Sequence, residues 1–380
     1  MRDKNIGPAD SRVVRSGKSR RPGGHVAHIL WFEDYQPAHA AVIGGKNASL
    51  GTLVGAGLPV PPGFAVSADA YRKALADGGL TGQLDALVAA VDPGEVGSVA
   101  DAGRRARALI GALDPREDLT GPIREGYAEL CARCGDPAVP VAIRSSGTFE
   151  DHPDASFAGE HDTYLWIRGG DAVLRHVLRC WASLFTDRAI VYRLERGYQS
   201  ATVAMSVGVQ QMVAPRAAGV AFTLNPLDGD RSQIAIDASW GFGEAVASGE
   251  VTPDNYLVDK VMRSITRRTI SAKTTEYRLS PSGFVEAFDV PAERRDAPCL
   301  TDDEVLAVAA LARRAEKHYG CPQDVEWALD DRGVWLLQSR PETVWSRRSR
   351  TPRTSASADP IASIVATLMK PISGTPEGHG

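Results

Sequence analysis

The sequence contains few cysteines and no long apolar run, and both shortages limit the kind of protein it encodes. Its 380 residues include five cysteines, an odd number without the spacing of a disulfide framework. We therefore expect a protein of a reducing compartment, the cytoplasm. No run of about 18 apolar residues occurs, so the sequence predicts no helix that spans a membrane.

An excess of charge of one sign is also missing, because the formal net charge is −4. That value gives no reason to expect a nucleic acid or a membrane as a partner. Residues 1–26 are locally basic, yet they lack the apolar segment of a secretory signal and predict a disordered basic tail. Residues 346–380 are rich in Ser, Thr, Pro and Arg and predict a flexible tail or linker, in which Ile361 to Met369 could form a short docking helix.

Cys131 and Cys134 form a single C-x-x-C motif. Such a motif can hold zinc or act as a redox pair, but here no second pair and no neighbouring histidines accompany it. The apolar pattern of Tyr127 and Leu130 favours two ordinary cysteines at the end of a helix.

Between the two tails, short apolar runs alternate with segments of helical periodicity, which predicts a mixed α/β protein. The predicted strands are Val139–Arg144, Met205–Val213, Gln233–Ala238 and Tyr256–Asp259. The predicted helices are Ala48–Ala56, Ala68–Ala76, Asp171–Leu184 and Asp302–Tyr319. The length is sufficient for two or three domains.

The start of the last helix is well specified. Thr301 and Glu304 have the spacing of a capping box, in which each side chain accepts a hydrogen bond from the backbone N–H of the other residue. Leu300 and Val305 are placed to form a hydrophobic staple, and Gly320 is a plausible C-terminal stop.

Residues 324–340 predict a β-hairpin, because two alternating runs flank the three-residue loop Asp331-Arg332-Gly333. The predicted pairs are Asp330 with Val334, Ala328 with Leu336, Glu326 with Gln338, and Asp324 with Arg340. With a side-chain period of two, one face carries Val325, Trp327, Leu329, Trp335 and Leu337. The other face carries a polar cluster of Asp324, Glu326, Gln338 and Arg340.

The polar cluster has two interpretations that periodicity alone leaves open. It can be the solvated face of a sheet, stabilised by ordinary cross-strand pairs. It can also be a site, because the oxygens of Glu326 and Gln338 suit Mg²⁺. Arg340, two residues beyond, can then neutralise charge on a phosphate.

A second candidate is the turn Val42–Lys46, where two glycines and a lysine open a helix. Glycine allows close approach of a ligand, and a helix N-terminus favours anions. The turn is not a Walker A loop, because Ala40 replaces its first glycine and Asn47 replaces its Ser or Thr. A plain helix-entry turn remains equally possible.

Arg144 ends an apolar run and is followed by a loop rich in Gly, Asp and Ser, with Asp151, Asp154, Gly159 and Thr163. The arginine is either an exposed strand end or an anion clamp, and the loop is either a functional loop or a turn. A further motif, residues 240–244 (WGFGE), predicts a tight turn, since Val246 stands where a dinucleotide-binding fingerprint needs its third glycine.

Six stretches of the sequence resemble one family in their order and spacing. They are IGGKNASLGTLVGAGLPVPPGFAVSADAYR (43–72), VAIRSSGTFEDHPDASFAGEHDTYL (141–165), VGVQQMV (207–213), GVAFTLNP (219–226), WGFGEAVASGEVTPDNYLVD (240–259) and DVEWALDDRGVWLLQSRPET (324–343). The chain resembles the N-terminal ATP-binding region of phosphoenolpyruvate synthase, pyruvate phosphate dikinase and rifampin phosphotransferase. The resemblance implies an α/β (α+β) ATP-grasp fold, with lobes at 27–213 and 214–345 and a nucleotide cleft between them.

The resemblance also implies roles for individual residues and ATP with Mg²⁺ as cofactors. Lys46 and Arg144 would contact the triphosphate, and with Arg340 they are the expected catalytic residues. Gly159 and Thr163 would lie in the loop that covers the phosphates. Gln210 would lie by the adenine, with Gln211 as an adjacent competitor.

The resemblance places the metal in the hairpin. Glu326 and Gln338 would hold Mg²⁺, Arg340 would stabilise the transferred phosphate, and Asp324 would assist. The loop after Arg144 departs from the family pattern, in which Ala, Ala and Leu usually stand at the positions of Gly147, Phe149 and His152. None of these changes removes an expected ligand.

Larger members of the family continue into a domain that carries a phosphorylatable histidine. The eight histidines here are at 25, 28, 39, 152, 161, 176, 318 and 378, and none follows the ATP region in a G-G-x-T/S-S/C-H-type motif. We therefore expect a partner subunit to carry that histidine, which accepts the phosphoryl group while AMP is released. No nucleic acid or membrane partner is expected, and the acceptor of the γ-phosphoryl group, phosphate or water, is left open.

In this arrangement the chain looks like the ATP-binding subunit of phenylphosphate synthase or of a related alkylphenol phosphate synthase. The expected final acceptor is a phenol bound mainly by the partner. The alternatives are a component of a phosphoenolpyruvate synthase-like or rifamycin phosphotransferase system, or a nucleotide-binding regulatory module without turnover.

Overall fold

The computed structural model describes residues 28–92, 94–148, 163–197, 203–247 and 249–345. The predicted tails at 1–26 and 346–380 and the predicted site residue Gly159 lie outside these ranges. The chain divides into two units, with residues 1–55 and 61–212 in the first and residues 56–60 and 213–380 in the second. Both units combine sheets with helices, as the alternation in the sequence predicted, whereas the ATP-grasp assignment stays a prediction.

The first unit has a five-stranded sheet in the order β1-β2-β5-β3-β4, with antiparallel neighbours throughout. Its strands are β1 (Ile29–Trp31), β2 (Gly63–Val66), β3 (Val141–Gly147), β4 (Thr163–Ile167) and β5 (Met205–Gln211). Strand β3 lies between β4 and β5, and β5 pairs with its whole length whereas β4 pairs with it only as far as Arg144.

Seven α-helices accompany this sheet among the described residues. They are α1 (Ala40–Gly55), α2 (Ala68–Asp77), α3 (Thr81–Ala89), α4 (Val96–Gly111), α5 (Glu117–Cys134), α6 (Gly170–Ala182) and α7 (Asp187–Arg196). The core between helices and sheet is centred on Phe64, Tyr71, Trp181 and Phe185, which are almost inaccessible to solvent. Helix α5 ends at Cys134 and all five cysteines are free, so the C-x-x-C lies at a helix end as predicted.

The second unit has a six-stranded sheet in the order β13-β12-β6-β7-β8-β9 and a small separate pair, β10-β11. Its strands are β6 (Ala217–Phe222), β7 (Gln233–Trp240), β8 (Asp254–Asp259), β9 (Ser264–Thr269), β10 (Thr275–Leu279), β11 (Val285–Asp289), β12 (Gln323–Asp330) and β13 (Gly333–Pro341). The neighbours are again antiparallel.

The helices of the second unit are α8 (Glu244–Ala247), α9 (Ala292–Arg295) and α10 (Asp302–Tyr319). Helix α10 packs against the large sheet. The predicted capping box is confirmed, because Thr301 Oγ1 accepts from Glu304 N at 3.4 Å and Glu304 Oε2 accepts from Thr301 N at 2.8 Å. Gly320 ends the helix in the left-handed conformation that glycine favours. None of the helices that the structure describes combines the length and apolar character that a membrane crossing requires.

Most element bounds differ from the sequence prediction by one to three residues at an end, and the differences at α1 and β3 affect the candidate site. Helix α1 begins at Ala40 rather than Ala48, and it consists of two helical segments joined at Gly44, which has φ 68° and ψ 164°. Strand β3 does not end at Arg144 but continues to Gly147, because β5 pairs with it along this whole length. Arg144 is therefore a mid-strand residue, and its description as a strand end was wrong.

The hairpin turn also differs from the prediction. Asp330 pairs with Gly333, so the loop has two residues and not three. The Asp330 carboxylate holds this tight turn, since it accepts hydrogen bonds from Arg332 N and Trp335 Nε1, each at 2.9 Å. The predicted pairs of Asp330 with Val334 and of Ala328 with Leu336 are therefore wrong.

A β-bulge brings the two strands back into the predicted register. The pairing shifts between Glu326 and Trp327, so Leu337 is an extra residue on β13. Beyond the bulge the predicted pairs of Glu326 with Gln338 and of Asp324 with Arg340 are confirmed.

The bulge moves two apolar side chains to the other face of the hairpin. Trp335 lies opposite Ala328, and together with Leu337 it packs on a small cluster of Val213, Ala218 and Ala328. Leu336, opposite Trp327, takes the fully buried position instead. The prediction that Trp335 and Leu337 share the buried face was wrong, because an inserted residue reverses the alternation that follows it.

Candidate functional site

The polar end of the β12–β13 hairpin is the most complete group of candidate site residues. Glu326 lies opposite Gln338, and Asp324 lies opposite Arg340. Arg340 donates from Nε to Asp324 Oδ2 at 2.7 Å, and its Nη2 lies 2.7 Å from the same oxygen. The Asp324 side chain is 10% exposed and that of Arg340 is 58% exposed. A buried carboxylate is therefore paired with an arginine whose side chain is mostly exposed.

Burial governs the protonation of Asp324. Removal from water disfavours the carboxylate and raises the pKa of Asp324 above its usual value, although Arg340 acts in the opposite direction. Neighbouring Glu326 adds to the increase through like-charge repulsion. A cation placed beside Glu326 would remove that repulsion, so the cluster is electrostatically suited to bind one.

The donor atoms fit Mg²⁺ chemically. A carboxylate and an amide oxygen facing each other across two strands are hard ligands, and Mg²⁺ typically uses one or two protein ligands while phosphates and waters complete its shell. Within the described ranges, no three His, Cys, Asp or Glu side chains are grouped so that they could hold a metal by themselves. Glu326 and Gln338 together offer one carboxylate and one amide oxygen, a donor set that phosphate oxygens and waters can complete around a cation.

The first unit brings two other predicted site residues together on adjacent strands. Arg144 on β3 is the Cα partner of Thr163, the first residue of β4, and of Gly208 on β5. Arg144 is partly exposed, whereas Ile143 and Ser145 on either side are buried. Arg144 is therefore the only residue of β3 that is not fully buried, and its side chain is partly accessible from solvent.

The turn that carries Lys46 is packed closely on the end of β3. Gly44 has a positive φ, and a Cβ at this position would lie 2.6 Å from Ser146 O and 2.9 Å from Gly147 O. Only glycine fits this conformation and this approach. The second helical segment of α1 follows at once, so Lys46 does lie at a helix entry, as the sequence predicted.

Asn47 is a residue whose importance the sequence did not reveal. It is 2% exposed, and its Nδ2 donates to Ile43 O and to Ser206 Oγ, each at 3.0 Å. Both Nδ2 hydrogens of Asn47 are thus used in hydrogen bonds within the first unit. No sequence signal pointed to Ser206, which is 159 positions away.

Gln210 and Gln211 occupy different environments. Gln210 is 3% exposed and its Nε2 donates to Pro61 O at 3.3 Å, whereas Gln211 is partly exposed. The role of Gln210 beside an adenine stays a prediction. The WGFGE motif makes a short turn as predicted, since β7 ends at Trp240, α8 begins at Glu244 and Gly241 between them has φ 71°.

The predicted residues thus fall into one group on each unit. Lys46, Arg144, Thr163 and Gln210 belong to the first unit. Glu326, Gln338, Arg340 and Asp324 belong to the second unit. Gly159 is outside the described residues.

A family model described as the pyruvate phosphate dikinase AMP/ATP-binding domain matches residues 40–359. A probable phosphoenolpyruvate synthase of Methanocaldococcus jannaschii is 39% identical over 354 residues, which is 93% of this chain and 30% of that protein. A second one, of Methanothermobacter thermautotrophicus, is 43% identical over 318 residues, 84% of this chain and 46% of that protein.

A rifampicin phosphotransferase from a Streptomyces species is 42% identical over 316 residues, 83% of this chain and 36% of that protein. The chain therefore spans less than half the length of each of these relatives. The similarity covers the whole region that contains both groups of candidate site residues.

Proposed function

Because the chain belongs to the pyruvate phosphate dikinase AMP/ATP-binding domain family, we propose that it is the ATP-binding component of a dikinase-type phosphotransferase. In this proposal Mg·ATP binds to the chain and a histidine receives a phosphoryl group while AMP is released. The γ-phosphoryl group passes to water or phosphate. The phosphohistidine then donates to a small-molecule acceptor.

The observation that carries the proposal is the register of the hairpin. It places Glu326 opposite Gln338 and Asp324 opposite Arg340, although a bulge and a shorter turn change the pairing elsewhere in the same hairpin. The three side chains that would meet the metal and the phosphates therefore share one face, and the fourth, Asp324, holds Arg340 in place.

Each candidate residue has a separate role in this proposal. Glu326 and Gln338 would hold the cation, and bound Mg²⁺ would supply neutralisation of the phosphate oxygens. Arg340, whose Nε is hydrogen-bonded to Asp324, would donate hydrogen bonds to the phosphoryl group during its transfer. Lys46 and Arg144 would neutralise the triphosphate, so that catalysis consists of positioning and charge stabilisation.

The phosphohistidine would be formed on a separate subunit. What supports this part of the proposal is the resemblance of the chain to the ATP-binding subunit of the aryl phosphate synthases. The first candidate for the final acceptor is a phenol or alkylphenol, as in the aryl phosphate synthases whose ATP-binding subunit the sequence resembles.

The named relatives favour a second candidate acceptor. They are phosphoenolpyruvate synthases and rifampicin phosphotransferases, so pyruvate or a rifamycin would replace the phenol. The role of the ATP-binding component is the same in both cases, since acceptor choice would reside in residues beyond those of this chain.

Two measurements, made one after the other, test the proposal. Isothermal titration of the full 380-residue chain with Mg·ATP should show binding, and its absence would contradict the proposal at the first step. The chain is then purified from its native source together with associated proteins and incubated with ATP and with phenols, pyruvate or rifamycins. AMP and a phosphorylated product should form with one acceptor class.

The same preparation decides the subunit arrangement. A native polypeptide of 40.5 kDa with a separate phosphorylated chain would support a separate histidine subunit. A phosphohistidine in the same, longer polypeptide would contradict that arrangement. Binding of ATP without any AMP formation in the assembled system would instead indicate a regulatory module.

A further inference from the structure

The Asn47 amide connects three elements of the first unit. Its Nδ2 donates to Ile43 O before the double-glycine turn and to Ser206 Oγ on β5, each at 3.0 Å. Ser206 Oγ in turn donates to Val66 O, at the end of β2, at 2.7 Å. A buried relay of hydrogen bonds thus runs from the turn through α1 and β5 to β2.

The same side chain also fits closely against the strand that pairs with Arg144. Gly208 on β5 is the Cα partner of Arg144, and a Cβ on Gly208 would collide with Asn47 Oδ1. A larger residue at 208 would push Asn47 away from the strand. The amide therefore fixes the distance between the turn and the strand pair that bears Arg144.

Lys46 lies between two anchored residues. On one side, Gly44 is in close contact with Ser146 and Gly147 on β3. On the other, Asn47 is anchored through its side chain, and its own N–H donates to Ser146 Oγ at 3.4 Å. The backbone from which the Lys46 side chain projects is consequently fixed to the same strand as Arg144.

We propose that Asn47 is a positioning residue for Mg·ATP binding, which sets the placement of Lys46 relative to Arg144. The inference rests on the proposed function, because the two cations are taken there to contact the triphosphate. An amide is required at this position: it donates to two acceptors at once, which an aspartate cannot do, and an alanine would leave Ile43 O without this donor. Misplacement of a substrate-positioning group by about 1 Å can cost on the order of 100-fold.

The test measures Mg·ATP dissociation constants of the full chain by isothermal titration. Asn47→Ala should weaken binding by about tenfold or more. Ser206→Ala removes one of the two acceptors and leaves Asn47 unchanged. It should also weaken Mg·ATP binding, and it replaces Asn47→Ala in the test if that variant does not fold. If folded Asn47→Ala binds Mg·ATP with unchanged affinity, the inference is overturned while the proposed function stands. If Asn47→Ala does not fold, unchanged affinity in folded Ser206→Ala has the same consequence.

A control and a double substitution separate positioning from loss of stability. Thr52→Val removes a 2.8 Å hydrogen bond from Thr52 Oγ1 to Ala48 O in the same helix and should lower the melting temperature without changing the dissociation constant. In a Lys46→Ala background, Asn47→Ala should change the affinity by less than about twofold, because it acts through the missing lysine. Additive losses would show a merely structural role.

A suppressor experiment checks the contact itself. Gly208→Ala should weaken Mg·ATP binding, and Asn47→Ala added to it should cause no further loss, since the colliding oxygen has been removed. Full additivity of these two substitutions would contradict the geometry. If the unaltered chain does not bind Mg·ATP at all, the failure lies with the proposed function.

Discussion

Asp324 and Arg340 lie directly opposite each other on β12 and β13, and the arginine Nε donates to Asp324 Oδ2 at 2.7 Å. The carboxylate is nearly buried, whereas more than half of the guanidinium side chain is exposed. A buried anion thus restricts an outward-facing cation to one orientation. The other end of the hairpin has a similar pair, in which Arg332 Nε and Nη2 donate to Asp330 Oδ2 at 2.9 and 2.8 Å. The two pairs provide matched experiments within one hairpin.

The first prediction concerns Arg340. Arg340→Gln should lower the rate of AMP formation in the assembled system by about 10³-fold or more, the range found for arginines that stabilise a phosphoryl group in transfer. The Michaelis constant for ATP should change far less, because the loss falls mainly on the transition state. Arg332→Gln, at the hairpin turn, is the matched control and should leave the rate unchanged. Equal effects of both substitutions would contradict a role for Arg340 in transfer.

The second prediction concerns the pH dependence of stability at Asp324. Burial raises the pKa of Asp324 above the ordinary 3.8, with Arg340 acting in the opposite direction. The folded protein therefore holds this proton more tightly than the unfolded chain does. The resulting stability is fully present below the unfolded pKa and is lost as the pH rises through the folded pKa. Urea unfolding should show the natural protein losing stability relative to Asp324→Asn as the pH rises above 3.8.

Asp330 supplies a control of opposite sign. Burial acts to raise the pKa of Asp330, but hydrogen bonds from Trp335 and Arg332 outweigh it and lower that pKa below 3.8. Its stabilising contribution is present above the unfolded pKa and is lost as the pH falls through the folded pKa. The natural protein should accordingly gain stability relative to Asp330→Asn as the pH rises toward 3.8. The same pH trend for both variants would contradict this account of the hairpin.

The period of two was enough to find this cluster from the sequence, because Asp324 and Glu326 alternate with apolar residues on β12, and Gln338 and Arg340 lie two residues apart on β13. The bulge at Leu337 was not predictable, since an extra apolar residue in a strand leaves no mark in composition. The turn was predicted one residue too long because Gly333 reads equally as the last loop residue and as the first strand residue. These two errors compensate, so that the register is correct only beyond the bulge.

The first unit shows a different limit of sequence analysis. Arg144 was recognised as a candidate, but its strand was predicted to end there, because the polar Ser145 and Ser146 interrupt the apolar run. Both serines are buried in the structure. Asn47 was noticed only as a mismatch to another motif, since its partner Ser206 is remote in sequence. Contacts of this kind depend on strand pairing, which a single sequence does not specify.

The third prediction concerns the cation. Glu326→Gln should raise the Mg²⁺ concentration needed for half-maximal ATP binding by at least about tenfold, since the loss of about 1.4 kcal/mol of interaction suffices for that factor. The readout is a titration of Mg²⁺ at fixed ATP by calorimetry. Asp331→Asn removes one negative charge from the exposed turn of the same hairpin and is the matched control. If both variants needed the same Mg²⁺ concentration as the natural chain, Glu326 would not be a ligand.

The last prediction concerns an ion pair that is buried in the second unit and that belongs to neither group of candidate site residues. Lys273 Nζ donates to Asp254 Oδ1 at 2.5 Å, and both side chains are fully buried. Asp254 also accepts backbone N–H bonds from Ser271 at 3.0 Å and Cys299 at 2.9 Å. The carboxylate thus fastens two segments that are remote in sequence to the start of β8.

Breaking this pair on one side should be costly, because it leaves an uncompensated charge in the interior. Lys273→Met should lower the free energy of unfolding by about 3–5 kcal/mol, as is usual when one partner of a buried pair is removed. Adding Asp254→Asn should recover part of that loss, since the amide oxygen can still accept one of the backbone hydrogen bonds. Urea unfolding of both variants measures the free energy of unfolding. If the double variant is less stable than Lys273→Met alone, the hydrogen bonds to the carboxylate contribute more to stability than removal of its charge recovers.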